Sequence, residues 1–283
     1  DVAWQTADGA TLHGIYVHDV DTPYPPTEPG PLVVWQQGGP GGQMVNDYGA
    51  SVEAPYSYLP HYGLPVLIAN AAGRMVQDPD FYTAMADGRN FGQLDIAQIK
   101  AGVDHLVCDG VVHPERVGIT GCSYGGYFTL QSLRTYPDFY AAGNPQCSLV
   151  DLTEEFTFGA APAVAYLEGR APMADPAEYV KDSPAYGVKD VDDPVLIFHG
   201  LDDFLPVHLL TNIHDDLASR NVETTFLRVA GEGHGLRQPA SQRYAAQEQI
   251  LFFRRHLVET EVGPPPPCGT TIFLPAAARN AGV

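Results

Sequence analysis

An α/β fold, with a mainly parallel central sheet of about eight strands and helices on both faces, is what the sequence predicts. Three observations carry this. Short runs rich in Val, Ile and Leu alternate with stretches of helical periodicity, the pattern of a sheet covered on both sides. The segment Gly121-Cys122-Ser123-Tyr124-Gly125 joins a strand-like run to a helix-like one through a very tight turn. The 283 residues, 45% hydrophobic and 17% charged, suffice for one large core.

The chain opens with two short strands, Val2 to Thr6 and Leu12 to Val17, joined by a hairpin turn at Asp8-Gly9. A Pro- and Thr-rich loop runs from Asp21 to Pro31. Strands follow at Leu32–Gln36, Pro65–Ala71, Val117–Thr120, Pro194–His199 and Thr224–Val229. Between them, Leu94, Ile96, Ile99, Val103 and Leu106 recur at helical spacing and Gly110 ends the helix. Segments 207–220 and 239–256 read the same way. After the sixth strand, residues 151–181 break the rhythm; they read as a cap over the sheet's C-terminal edge or as a pair of packing helices. The predicted organisation is a catalytic domain over 1–262 and a Pro-rich tail over 263–283, a surface strap or loose end.

The net charge of −19, with Lys only at 100, 181 and 189, argues against a nucleic-acid surface and describes a solvated, acidic exterior. The apolar runs are strand-sized, so no membrane span is expected. The first residue is Asp1 rather than Met, which reads as a processed or excised chain; cellular location and oligomeric state stay open. Cys108, Cys122, Cys147 and Cys268 show no metal-ligand spacing and are expected to be mostly buried thiols. Cys122 and Cys147 fall near the ends of neighbouring strands, where a bridge is geometrically feasible. No cofactor and no metal are expected.

The chemistry centres on Ser123. A strand-to-helix turn lifts its hydroxyl clear of the sheet, and the close passage of strand and helix leaves no room for side chains two before and two after, where Gly121 and Gly125 stand. A Ser hydroxyl needs a base, and His234, flanked by glycines in Gly231-Glu232-Gly233-His234-Gly235 after the last strand, is placed to reach it. The base needs a carboxylate to orient it. The loop after Pro194–His199 offers Asp203, with Asp202 as the alternative; the order Ser, Asp, His suits this architecture. Donors for a developing oxyanion are expected from the backbone N–H of Tyr124 and from Gln36-Gln37-Gly38-Gly39-Pro40-Gly41-Gly42. His199, at a strand end, reads as a satisfied core residue.

These segments resemble the prolyl oligopeptidase family of serine peptidases, especially its acylaminoacyl-peptidase and dipeptidyl-peptidase branches. DGATLHGIYV is similar to the opening of that family's hydrolase domain, QGGPGG to its oxyanion loop, and NFGQLDIAQIKAGVDHLVCDGVVHPERVGITGCSYGGY gives the densest likeness. YVKDSPAYGVKDVDDPVLIFHGLDD and GEGHG complete it. The resemblance implies the α/β-hydrolase fold, a triad of Ser123, Asp203 and His234, oxyanion donors at Gly39 and Tyr124, and a first specificity pocket lined by Leu152 and Phe156. It implies cleavage of aminoacyl or acyl-aminoacyl bonds of short peptides through an acyl-enzyme. A carboxylesterase is the alternative, and an inactive binding module a distant third. Gln37 stands where the family usually has His, and Pro206-Val207 where it has Val-Pro. The family's β-propeller is expected, if at all, in a longer parent chain, since this chain begins about where a propeller would end.

Overall fold

The computed structural model describes residues 1–7, 9–39, 41–42, 44–45, 53–74, 80, 83–86, 90–265 and 268. Its eight strands are β1 (Val2–Gln5), β2 (Thr11–Val17), β3 (Gly30–Gln36), β4 (Val66–Ala69), β5 (Val112–Cys122), β6 (Ala142–Gln146), β7 (Val195–Gly200) and β8 (Thr224–Val229). They form one sheet in the order β1-β2-β4-β3-β5-β6-β7-β8. β1 and β2 pair antiparallel, β2 joins β4 antiparallel, and the remaining pairings are parallel. The opening hairpin turn includes Asp8, which lies outside the described residues; Gly9 follows at φ 86.

Successive side chains of a strand point to opposite faces. Leu32 and Val34 therefore enter one core with Leu67, Val195 and Ile197, while Val33 and Trp35 enter the other with Val66, Ile68, Leu196 and Phe198. The helices α1 (Leu94–Cys108), α2 (Tyr124–Thr135) and α6 (Val207–Ser219) cover the first face; α7 (Pro239–Phe253) covers the second. Trp4 ties the hairpin to α1: its indole N–H donates to the Gln98 carbonyl at 2.9 Å.

β6, the sixth strand expected before residue 151, has no strand-like run of its own, because Ala-Gly-Asn-Pro-Gln has no β-branched residue and carries a proline. The structure supplies the reason it survives at the centre of a sheet. Gly143 donates its N–H to the Pro194 carbonyl just before β7, and Cys147 donates to the Phe198 carbonyl within it. Pro145, between them, has no N–H for the intervening Leu196 carbonyl, and the Asn144 side-chain amide donates there instead. The Asn144 carbonyl in turn accepts from Thr120, Gln146 and Gln249, so a fully buried polar residue is satisfied.

Residues 151–181 form α3 (Leu152–Glu155), a π-helical turn (Phe156–Ala160), α4 (Ala161–Glu168) and α5 (Pro176–Asp182). Leu152, Val164, Leu167 and Tyr179 build a third core with Phe91, Tyr124 and Tyr127. No helix among the described residues is long and apolar enough to cross a membrane.

The expectation of mostly free thiols is corrected: Cys122 bonds Cys147 and Cys108 bonds Cys268. The second pair is 160 residues apart in sequence. It anchors the tail, which also accepts a hydrogen bond from His113 at the Gly263 carbonyl. Residues 266–267 and 269–283 of the predicted tail lie outside the described residues.

Candidate active site

Topology fixes where a site forms. After β3 the chain crosses to β4 on one side, and after β5 it crosses to β6 on the other, so the C-terminal ends of β3 and β5 open a crevice between diverging loops. Gln36 and Gly121 are register partners at that edge, which sets the loop after β3 against Ser123.

Ser123 has φ 62 and ψ −121, a left-handed conformation that costs a residue with a Cβ about 1–3 kcal/mol. The surroundings hold it. Its N–H donates to Gln146 at 3.0 Å, its carbonyl accepts from Tyr127, and α2 starts at the next residue. A Cβ at Gly125 would lie 2.0 Å from the Gln36 carbonyl oxygen, and one at Gly121 2.4 Å from it, so both positions demand glycine.

His234 shares a cavity of about 420 Å³ with Ser123, and Gln37, Gly38 and Gly39 also line it. Its Nδ1 lies 3.0 Å from both carboxylate oxygens of Asp203. The Asp203 side chain is fully covered and also accepts the Leu205 N–H at 2.9 Å. Asp202 is exposed, with its backbone N–H on Glu232. The alternative between the two carboxylates is thus decided by geometry: Asp203 is the one on the imidazole. With Nδ1–H donated to Asp203, the lone pair of His234 is on Nε2.

His199 is buried beside this pair. Its Nε2–H donates to the Leu205 carbonyl, and its Nδ1 is 3.9 Å from Asp203. Burial pulls its pKa down, against the upward pull of Asp203. The core reading of His199 is half right, because Nδ1 has no hydrogen-bond partner.

Sequence reasoning missed the residue that holds the loop after β3. Arg74 is fully buried beneath it and donates from Nη2 to the Gln37 carbonyl at 2.7 Å and from Nη1 to the Gly42 carbonyl at 3.0 Å. Longer contacts reach the Gly38 carbonyl and the Gln37 side chain. Gln37 thus meets Arg74 mainly through its backbone carbonyl, and through its side chain only at 3.4 Å. Burial lowers the Arg74 pKa to about 10 and raises that of Asp95 to about 6; each partly offsets the shift of the other. Asp95 accepts the Tyr124 hydroxyl at 2.6 Å, so the brace under the loop connects to the first residue of α2. No pattern marks Arg74, since it stands in a loop and its burial depends on residues far away in sequence.

Trp35, Met44, Ala54 and Tyr56 form the apolar wall of the cavity, and Glu53 and Arg237 its charged side. Arg237 is 3.8 Å from Glu53, whose carboxyl is raised mainly by burial and lowered in part by Arg237 and His234. Phe204, largely exposed, lies with its ring 4.5 Å from the His234 ring. Leu152 and Phe156 do not line this cavity. Leu152 is fully buried in the third core and Phe156 packs edge-on against Tyr179, so their spacing reflects core packing. Among the described residues, Cys122, Cys147 and His234 are the group whose donor atoms lie close enough for a metal, and there the two sulfurs are joined.

A model of the prolyl oligopeptidase family matches residues 51–260. Acylamino-acid-releasing enzyme 1 of Oryza sativa subsp. japonica is 24% identical over 265 residues, covering 89% of this chain and 33% of that protein. Dipeptidyl aminopeptidase BIII of Pseudoxanthomonas mexicana is 28% identical over 223 residues, covering 76% and 32%. The chain thus spans about a third of the length of these curated relatives. In fold it resembles a crystal structure of puromycin hydrolase, with a TM-score of 0.82 at 23% identity over 94% of this chain and 40% of the other. An acylaminoacyl peptidase of Pyrococcus horikoshii gives 0.81 at 23% identity, over 93% and 42%.

Proposed function

The chain belongs to the prolyl oligopeptidase family, and from that premise we propose that it is a serine peptidase cleaving aminoacyl or acyl-aminoacyl bonds of short peptides. The observation that carries the reading is one cavity holding Ser123 on its left-handed turn and His234 bonded through Nδ1 to a covered Asp203. Ser123 Oγ attacks the scissile carbonyl carbon while His234 Nε2 takes its proton. Asp203 holds the ring in place and stabilises the imidazolium. The oxyanion is met by the N–H of Gly39 and that of Tyr124, which, in the first turn of α2, has no intrahelical partner and adds the positive end of the helix dipole. His234 then protonates the leaving amine. A water deprotonated by the same ring attacks the acyl-Ser123 ester, and Ser123 is released.

Trp35, Met44 and Tyr56 favour an uncharged, apolar side chain at the cleaved bond, with discrimination of about 1–3 kcal/mol per methylene-sized change. The test compares Phe, Leu, Glu and Arg p-nitroanilides, free and N-acylated, with p-nitrophenyl esters. Hydrolysis of the Phe and Leu anilides, lost in Ser123→Ala, supports the reading. Turnover of esters alone would replace it with the carboxylesterase, and no turnover by wild type would overturn it.

A further inference from the structure

We infer that reduction of the Cys122–Cys147 disulfide opens a site for one Zn²⁺ ion, bound by the two sulfurs and His234 Nε2 at the catalytic centre. Cys122 ends β5 and Cys147 follows β6, neighbouring strands in which Cys122 and Gln146 are register partners. The sheet therefore keeps the two α-carbons 5.3 Å apart without help from the bond. The donor atoms of Cys122, Cys147 and His234 all lie within 4.8 Å of one another. A tetrahedral zinc with bonds of about 2.3 Å to sulfur and 2.0 Å to nitrogen needs donors about 3.5–3.8 Å apart, a separation these side chains reach by small rotations.

The surroundings suit a metal in three further ways. Asp203 accepts from His234 Nδ1 through both oxygens, the carboxylate–histidine arrangement that fixes the tautomer and strengthens the other nitrogen as a ligand. Two thiolates neutralise the ion, so no net charge is added to a half-buried site. Cys122 lines the cavity, which leaves a fourth position open to water or to Ser123.

A small dithiol or a phosphine enters through the cavity. A thiolate of the dithiol attacks Cys122 Sγ, the bond to Cys147 breaks with its electron pair on Cys147, and the dithiol's second thiol closes its own disulfide and frees Cys122; a phosphine attacks at the same sulfur, and water then carries the phosphorus off Cys122 as phosphine oxide. Two electrons pass from reagent to protein, and Zn²⁺ displaces to solvent any proton still on sulfur. Zinc on Nε2 removes the lone pair that accepts the Ser123 proton; this consequence, unlike the binding, rests on the proposed function.

The test uses the full chain with Cys108→Ser and Cys268→Ser, so that one thiol pair is present. After reduction with a phosphine and its removal under argon, Co²⁺ is titrated as the optical probe and displaced by Zn²⁺. One Co²⁺ per chain, with sulfur-to-cobalt charge transfer and tetrahedral visible bands, is expected in the reduced protein and none in the oxidised one. Adding Cys147→Ser should weaken binding at least about 100-fold, and Asp203→Asn about 10–100-fold. If the serine background does not fold, reduced wild type compared with its Cys147→Ser variant gives the same answer by the loss of the charge-transfer band. Failure of the reduced chain to give that band, or a band unchanged in Cys147→Ser, overturns the site. Stoichiometric binding with undiminished ester hydrolysis keeps the site and removes His234 as the base.

Discussion

Arg74→Met keeps most of the side-chain volume but deletes the guanidinium beneath the loop after β3. Arg74 is fully buried, and its two short bonds, 2.7 Å to Gln37 and 3.0 Å to Gly42, are charge-assisted. At about 1.5–3 kcal/mol for each such bond, the loss is about 3–6 kcal/mol. That agrees with the range of about 3–5 kcal/mol for removing one partner of a buried charged group, here leaving Asp95 without its counter-charge. The loss divides between stability and catalysis. The urea midpoint should fall, and because Gly39 no longer presents its N–H in a fixed place, kcat should drop about 10²-fold with little change in KM. Arg74→Lys keeps the charge but not the fork, and should fall between the two. Urea melts and ester kinetics on all three proteins check this. A folded Arg74→Met with kcat within about threefold of wild type would refute the bracing argument.

Ser123→Ala should lower kcat/KM by about 10³-fold or more with an unchanged melting temperature; matched activity on esters and anilides would remove Ser123 as nucleophile. Asp203→Asn should cost about 10³-fold or more, whereas exposed Asp202→Asn should stay within about twofold, measured as kcat on the best ester. Glu168 is raised to about 8, first by burial and then by Asp182 and Glu178. Its folded pKa exceeds the unfolded value, so its contribution is fully present below pH about 4.3 and is lost as pH rises through 8. Asp182, raised to about 6 chiefly by burial, acts in the same direction. Glu168→Gln should therefore melt higher than wild type at pH 8.5 and show a flatter Tm profile from pH 5 to 8.5; parallel profiles would exclude Glu168 as a source of the pH dependence.

What could be read in the sequence was local. The turn at Ser123 announces itself because a left-handed residue between a strand and a helix needs glycine on both sides, and those glycines are adjacent in the chain. His234 and the Asp pair follow strand ends, so their arrival at one edge of the sheet follows from the architecture. What was hidden depended on distant partners. Arg74 has a meaning only once Gln37 and Gly42 lie upon it. β6 breaks the composition rules for a central strand because a side chain, Asn144, does the work of a backbone group. Leu152 and Phe156 show the converse: a helical spacing suits a pocket or a core equally, and packing against Tyr124 and Tyr179 decided for the core.

The Cys108–Cys268 bond closes a covalent ring of the chain. Ser123, Asp203 and His234 lie inside the ring; Gly39 and Arg74 lie on the arm outside it. A protease that cuts once between residues 109 and 267, for instance at the exposed surface of α4 carrying Tyr166, opens the ring without parting the molecule. Denatured without reductant, the nicked chain keeps its full mass; with reductant the covalent link is gone and two fragments remain, held by the shared sheet alone. Cutting the backbone and losing the covalent link are thus separate events in this protein, the second governed by the redox state of its surroundings.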